Sequence, residues 1–159
     1  VADLVHLGIG RVRAASIVAA FELLRRLPAS DDVDRPIMQA PEDVVRIFSP
    51  KLRDLRHEEF WALLLTTSNH LMRDIRITSG TLNSSLVHPR ECFAEALKEK
   101  AASIIFVHNH PSGNPEPSHE DLAITKQLKD AGTILGIPVY DHIIIGGAQF
   151  SSFAQRGLL

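Results

Sequence analysis

The residues best able to do chemistry lie in one stretch, Phe106-Val107-His108-Asn109-His110-Pro111-Ser112-Gly113-Asn114-Pro115-Glu116-Pro117-Ser118-His119-Glu120-Asp121. His108 and His110 are two apart, the spacing that puts side chains on the same face of a strand. Ser118 stands three residues before Asp121, so the acid falls in the first turn of a helix that Ser118 opens. From there it can face back toward the histidines. Two imidazoles and one carboxylate form a zinc ligand set that leaves the fourth tetrahedral position to water, which marks a catalytic rather than a structural site. Zinc lowers the pKa of such a water toward ~7, and a carboxylate nearby can accept its proton. Glu58, just ahead of the apolar run Phe60 to Leu65, can be that base if this run lies beside Ile104 to Val107. The Ser118 hydroxyl could donate to the oxygen of a tetrahedral intermediate.

Each residue also has a plainer reading. Ser118-x-x-Asp121 is the pattern of a helix capping box, where an acid suits the positive end of the helix. The two histidines could form a hydrogen-bonded loop cluster, and Glu58 and Glu59 could be solvated charges. These readings are independent of one another, whereas a single metal site uses all the residues at once; capping and ligation are also compatible. Asp141 and His142 sit inside an apolar strand pattern on opposite faces. They are expected to be buried, hydrogen-bonded groups that are structural or support the site, not ligands. His70, His88 and His119 read as surface residues.

The elements that must position the site follow from the pattern along the chain. Ile104 to Val107 is wholly apolar, as in a central strand buried on both faces, and Pro111 stops it after the histidines. Phe60 to Leu65 and Met72 to Thr78 form a hairpin turning at Thr67-Ser68-Asn69-His70. Ile137 to Ile145 is a further strand ended by Gly146-Gly147, and Gln149 to Phe153 a short last one. Ser118 to Ala131 is a helix closed by Gly132, and Pro89 to Lys100 another. Pro41-Glu42-Asp43 opens a helix that Ser49-Pro50 interrupts, with a second helical piece running to about His57. Arg11 to Leu27 is a helix with Ala14, Ile17, Val18, Phe21 and Leu24 at helical spacing, preceded by the glycine turn Leu7-Gly8-Ile9-Gly10. Residues 28–40 have linker composition. The domains are therefore a helical motif at 1–27, a linker at 28–40 and an α/β domain at 41–159, a mixed central sheet flanked by helices.

Composition excludes several classes. Hydrophobic residues are 45% and charged residues 23% of the 159, the balance of a globular protein and not of a disordered one. A formal net charge of −2 argues against a strongly basic nucleic-acid binder. No apolar run reaches the ~20 residues of a membrane span, so no membrane partner is expected. The single cysteine, Cys92, fits a reducing, cytoplasmic setting and reads as a small buried residue. The chain starts at Val1 inside what reads as a helical motif, and it is expected to be part of a longer protein.

His108-x-His110, seven residues, Ser118, two residues, Asp121, with an upstream Glu, resembles the JAMM (MPN+) metalloprotease signature. His108-Asn109-His110-Pro111-Ser112-Gly113, Pro117-Ser118-His119-Glu120-Asp121, Ser79-Gly80-Thr81-Leu82-Asn83, His88-Pro89-Arg90-Glu91 and Asp141-His142-Ile143-Ile144-Ile145-Gly146 resemble the bacterial RadC family over about residues 41 to 159. The Gly8-Ile9-Gly10 turn is similar to the partial helix-hairpin-helix that precedes the JAMM domain there. The resemblance implies a cytidine-deaminase-like JAMM/MPN α/β fold and one zinc ion (Zn2+) per chain on His108, His110 and Asp121. It implies Glu58, rather than Glu59, as general base, and Ser118 on the oxyanion side. Thr66-Thr67 departs from the Leu-Asp more usual in the family, outside the metal set. The expected function is a zinc metallopeptidase or isopeptidase acting on a protein or peptide. The alternative is an accessory protein of DNA repair or recombination that contacts DNA through residues 1–27, with Arg11, Arg13, Arg25 and Arg26 contributing charge. Nucleoside deamination is excluded, because its ligand set needs a Pro-Cys-x-x-Cys run and Cys92 is alone. Substrate, scissile bond and oligomeric state are not legible.

Overall fold

A computed structural model describes residues 10–26, 35–80 and 87–159. The Leu7-Gly8-Ile9 part of the glycine turn, Leu27 at the end of the expected helix, residues 28–34 of the expected linker and the Thr81-Leu82-Asn83 motif lie outside the described residues. The chain divides into two compact units, Val1–Asp34 and Arg35–Leu159. In the first, helix α1 spans Arg11–Arg26. Its apolar stripe has helical spacing, yet of the four residues from Ala14 to Phe21 in it only Ala14 is buried, while Ile17 and Phe21 are exposed. Periodicity dictates the helix and leaves burial open.

The second unit carries α2 (Pro41–Leu52), β1 (Glu59–Leu65), β2 (Leu71–Ser79), α3 (Pro89–Lys98), β3 (Ser103–Asn109), α4 (His119–Leu135), β4 (Val139–Gly146) and β5 (Gln149–Ser152). The strands form one mixed sheet in the order β2-β1-β3-β4-β5. β1 runs antiparallel to β2 and to β3, β3 parallel to β4, and β4 antiparallel to β5. This is the α/β architecture expected from the sequence. Arg35 to Ala40 run along the sheet unit: Ile37 bridges His70, and Met38 is buried. His70 is accordingly half-buried, its Nδ1 donating to the Arg35 carbonyl at 3.0 Å.

Alternation divides the core between the two faces of the sheet. Phe60, Ala62 and Leu64 of β1 and Ile104 and Phe106 of β3 pack with Cys92, Phe93 and Ala96 of α3 and Ile124 and Leu128 of α4. Leu63, Leu65, Ile105 and Val107 pack with Val44, Phe48 and Leu52 of α2. Every residue of β3 is buried, as its unbroken apolar run requires. One irregularity matters for the site. Ile104 pairs with Val139 but Ile105 pairs with Asp141, so β4 gains a residue against β3. An extra residue turns the following side chains to the opposite face. Val139 lies in the α3/α4 core, whereas Ile143 and Ile145 lie in the α2 core. His142 thereby joins Phe106 and His108 on the α3/α4 face.

Two helix ends differ from the expectation by more than two residues. α2 runs through Ser49-Pro50 and stops at Leu52. Pro50 sits in the last turn, and burial of Val44, Phe48 and Leu52 at four-residue spacing holds the helix through it. α4 runs past Gly132 to Leu135 and is closed by Gly136, whose φ of 70° is the left-handed cap. Gly132 is needed for another reason: a Cβ there would lie 2.5 Å from the Ile137 carbonyl oxygen. Cys92 is buried, and burial, with Glu91 adding to it, pushes its thiol up to about 12. It stays protonated and is no nucleophile. No helix among the described residues is long and apolar enough to cross a membrane.

Gly132 separates propensity from packing. In an open helix, Gly→Ala gains about 1 kcal/mol. Here Gly132→Ala is expected to lower stability by more than that gain, because backbone oxygen meets the added carbon. Urea unfolding midpoints of the two proteins check the sign.

Candidate metal centre

The site forms where β3 leaves the sheet beside the first turn of α4. His108 is the penultimate residue of β3, and His110 follows its end, held to β4 by its N–H donating to the Ile145 carbonyl at 2.9 Å. Ser118 caps α4: its hydroxyl accepts from the Asp121 N–H at 3.1 Å. In return, the Asp121 carboxylate accepts from the Ser118 N–H and from its hydroxyl, both at 2.7 Å on Oδ2. The capping box and the acid facing the histidines are thus one arrangement.

One donor atom from each of His108, His110 and Asp121 falls within 4.8 Å of the others. His108 Nε2 is 3.1 Å from Asp121 Oδ1, His110 Nε2 is 3.3 Å from Oδ2, and the two Nε2 atoms are 3.0 Å apart. His110 Nδ1 donates to the Asn114 carbonyl at 2.8 Å, which leaves the lone pair on Nε2. Two imidazole nitrogens that each face a different oxygen of one carboxylate, and each other, suit a shared cation. The donor set fits a metal ion with nitrogen and oxygen preference.

Electrostatics agrees. Burial works to raise the Asp121 pKa, but the bonds with His108, His110 and Ser118 overcome it and hold the carboxyl far below its ordinary range. Burial pushes fully buried His108 down, against the pull of Asp121. His110 is pushed up by its bond to Asp121, with burial opposing. The Glu58 charge acts on both histidines.

Glu58 and Glu59 have separate environments. Glu59 is buried and takes bonds from Trp61 Nε1 at 3.0 Å and Arg76 at 3.1 Å, with His57 Nε2 at 3.3 Å. It lies on the Trp61 side of the strand. Glu58 is half-buried and lines a cleft of about 350 Å³ with Arg56, His57, Pro111 and Ser112. The β1–β3 register pairs Phe60 with His108, and continuing it past the end of β3 sets Glu58 across from His110. Asn109, between the two histidines, clamps the backbone on both sides of Glu58. Its Oδ1 accepts from the Glu59 N–H at 2.9 Å and its Nδ2 donates to the His57 carbonyl at 3.0 Å. The Gly80 N–H donates to the Glu58 carbonyl at 2.9 Å.

The other strand residues singled out above, Asp141 and His142, are both buried and point to opposite faces. Asp141 accepts from Ser152 Oγ at 2.6 Å, from its neighbour's N–H at 2.7 Å and from the Ala154 N–H at 2.9 Å. Burial pushes its carboxyl up and these bonds oppose the rise. It ties β4 to the turn after β5 and stays out of the metal cluster. His142 bonds His108 but is not a member of the metal-binding group; burial holds it well below its ordinary pKa.

Sequence reading passed over Asn109, Asn114 and Gly146. A Cβ on Gly146 would come within 2.6 Å of Pro115 N and 2.8 Å of the Asn114 carbonyl carbon and the Gly113 carbonyl oxygen. The 111–117 loop therefore lies on β4 at a spot only glycine allows, and this seats the Asn114 carbonyl against His110. The Gly146-Gly147 pair was a visible signal, but it also fits a simple strand end.

The chain is similar to known proteins over most of its length. The RadC-like JAB domain family matches residues 38–158. A UPF0758 protein of Desulforamulus reducens is 52% identical over 152 residues, covering 96% of this chain and 67% of the relative. One from Desulfitobacterium hafniense is 47% identical with the same coverage. UPF0758 protein ABC2615 of Shouchella clausii is 47% identical over 94% of this chain, and the match spans 65% of that relative's length.

Two outcomes follow for metal binding. With zinc as the probe ion, Gly146→Ala is expected to weaken metal binding about tenfold or more, the usual cost of losing a partner that orients a ligand, with far-UV circular dichroism unchanged. Competition with a chromophoric chelator measures it. Acidification should also release the metal. His110 must lose its proton to bind, and its pKa lies above the ordinary 6.5. Affinity should hold steady at alkaline pH and fall about tenfold per unit once pH drops through that raised value. The same titration repeated from pH 9 to pH 5 checks where the fall begins.

Proposed function

The chain belongs to the RadC family of JAB-domain proteins, and on that footing we propose that it is a zinc-dependent hydrolase of amide bonds, a JAMM-type peptidase or isopeptidase. The observation that carries the reading is the convergence of His108, His110 and Asp121 next to a cleft that Glu58 lines. His108, His110 and Asp121 would hold one zinc ion. When bound, zinc would supply Lewis acidity, polarising a substrate carbonyl and making water a better nucleophile at neutral pH.

The remaining roles belong to the chain. Glu58 would take the proton of the attacking water on a carboxylate oxygen and deliver it to the departing amine nitrogen. Its position on the cleft favours this, since a base must reach both water and substrate. Asn109 would keep it there by holding the backbone on either side. Ser118 would orient Asp121 in the resting site. By exchanging Asp121 Oδ2 for the substrate oxygen, its hydroxyl would then donate to the developing oxyanion. Glu59, occupied by Trp61, Arg76 and His57, is unsuited to carry a proton to substrate.

Glu58→Gln tests the proposal. The variant should keep its zinc and lose about 10²–10⁴-fold in rate, the range for removal of a general base. Suitable probes are quenched linear peptides and branched peptides joined through a lysine ε-amine. A zinc-loaded Glu58→Gln protein cleaving at the wild-type rate would overturn the mechanism. Wild-type protein cleaving neither probe class faster than His108→Ala would overturn the activity.

A further inference from the structure

His142 is fully buried between the rings of Phe153, at 4.8 Å, and Phe60, at 5.3 Å. Both of its ring nitrogens are nevertheless bonded. Nε2 lies 2.8 Å from His108 Nδ1, and Nδ1 lies 2.6 Å from Thr125 Oγ1. Thr125 Oγ1 in turn lies 2.6 Å from the backbone carbonyl oxygen of Asp121, one turn earlier in α4. The chain of contacts thus leaves one metal-site residue, His108, and ends on the main chain of another, Asp121.

The direction of every bond follows from its last member. A carbonyl oxygen has no proton, so Thr125 must donate to it, and a hydroxyl has only one proton to give. The bond between Thr125 and His142 must therefore use the ring N–H at Nδ1. Neither ring nitrogen of His142 bonds a carboxylate, and an imidazolium enclosed by phenylalanine rings would be costly. The neutral ring then offers a lone pair at Nε2, which accepts the Nδ1–H of His108. His108 is left with its own lone pair on Nε2, aimed at Asp121 and His110. His110 reaches the same tautomer through the Asn114 carbonyl.

We propose that His142 and Thr125 are positioning residues of the metal site, a one-way hydrogen-bond relay that sets His108 in its ligand tautomer and orientation before any metal arrives. The relay depends on the extra residue in β4, since without it His142 would face α2. It rests on the reading of His108 as a metal ligand. It is independent of the reaction the metal serves.

The test uses the full chain. In metal-free protein at pH 8, nitrogen-15 spectra of the histidine rings should show His108, His110 and His142 all protonated on Nδ1. Thr125→Val, which deletes the hydroxyl at near-constant shape, should release His142 from that state. It should also weaken zinc binding about 10–100-fold by chelator competition. His142→Phe should do the same to affinity. Thr125→Ser and His142→Gln, which keep one donor and one acceptor in place, should restore most of it. A purely structural role would lower melting temperature in all four variants and leave tautomers and the zinc affinity of the folded fraction alone. Wild-type His108 protonated on Nε2, or folded Thr125→Val with wild-type zinc affinity, would overturn the relay. Wild-type protein that binds zinc with these tautomers and hydrolyses nothing would remove the hydrolase reading and leave the relay standing. Wild-type protein that binds no zinc would overturn both.

Discussion

A buried carboxylate must be satisfied, and of the three buried in this fold, Glu59, Asp121 and Asp141, the one at the site is Asp121. Its charge sits at the N-terminal end of α4, where the helix dipole favours it, and its two oxygens are shared among Ser118 and the two histidines. The same residue accepts through its backbone carbonyl from Thr125. Cap, candidate metal ligand and the end of the hydrogen-bond chain through Thr125 meet in one amino acid. Any movement of the first turn of α4 would disturb all of them together, so the packing of Ile124 and Leu128 against Phe106 and its neighbours is also what holds the site.

The sheet supplies the other half of the constraint. Antiparallel pairing of β1 with β3 brings the chain ahead of Phe60 to the histidine end of β3. Parallel pairing of β4 with β3 carries His142 alongside, but only because one residue is gained between Val139 and Asp141. Gly146 then lets the 111–117 loop lie against the end of β4, so that Asn114 meets His110. The loop is thus part of what holds the His110 ring in place. A loop that holds a ligand in place cannot swing away as a free lid without loosening that ligand.

Much of this was legible before any coordinates. Local rules place the histidines on one strand face, the acid in a capped first turn, and β3 at the buried centre, because each depends on spacing within a few residues. The family resemblance supplied Glu58 over Glu59, which spacing alone left open. What escaped the sequence were the facts that depend on two segments at once. Gly132 looked like a helix end because its real constraint, the Ile137 carbonyl, is a contact across the α4–β4 turn. Pro50 looked like a break because the burial of Phe48 and Leu52 that holds the helix together is tertiary. Thr125 carries no signal, since a threonine bonding back to its own helix is commonplace. Its meaning comes only from His142 facing it across the core.

The two adjacent glutamates show how a strand gives neighbouring residues different surroundings. Alternation sends Glu58 and Glu59 to opposite sides, and the surroundings then differ in kind. Glu59 lies where Trp61, Arg76 and His57 can all reach it. Burial works against its charge, but those partners more than offset the cost, so its pKa is lowered and the carboxylate stays ionised and fixed. Such a group stiffens the entry to β1. Glu58 meets open cleft on one side and the histidine pair on the other. Under the proposed mechanism a proton carrier needs access to solvent and substrate, which the cleft gives Glu58, whereas Glu59 is fixed in place. Asn109 links the two, because its side chain bonds the backbone before Glu58 and at Glu59 while its own residue joins the two histidines. One side chain therefore couples the position of the carboxylate to the strand end that bears the ligands.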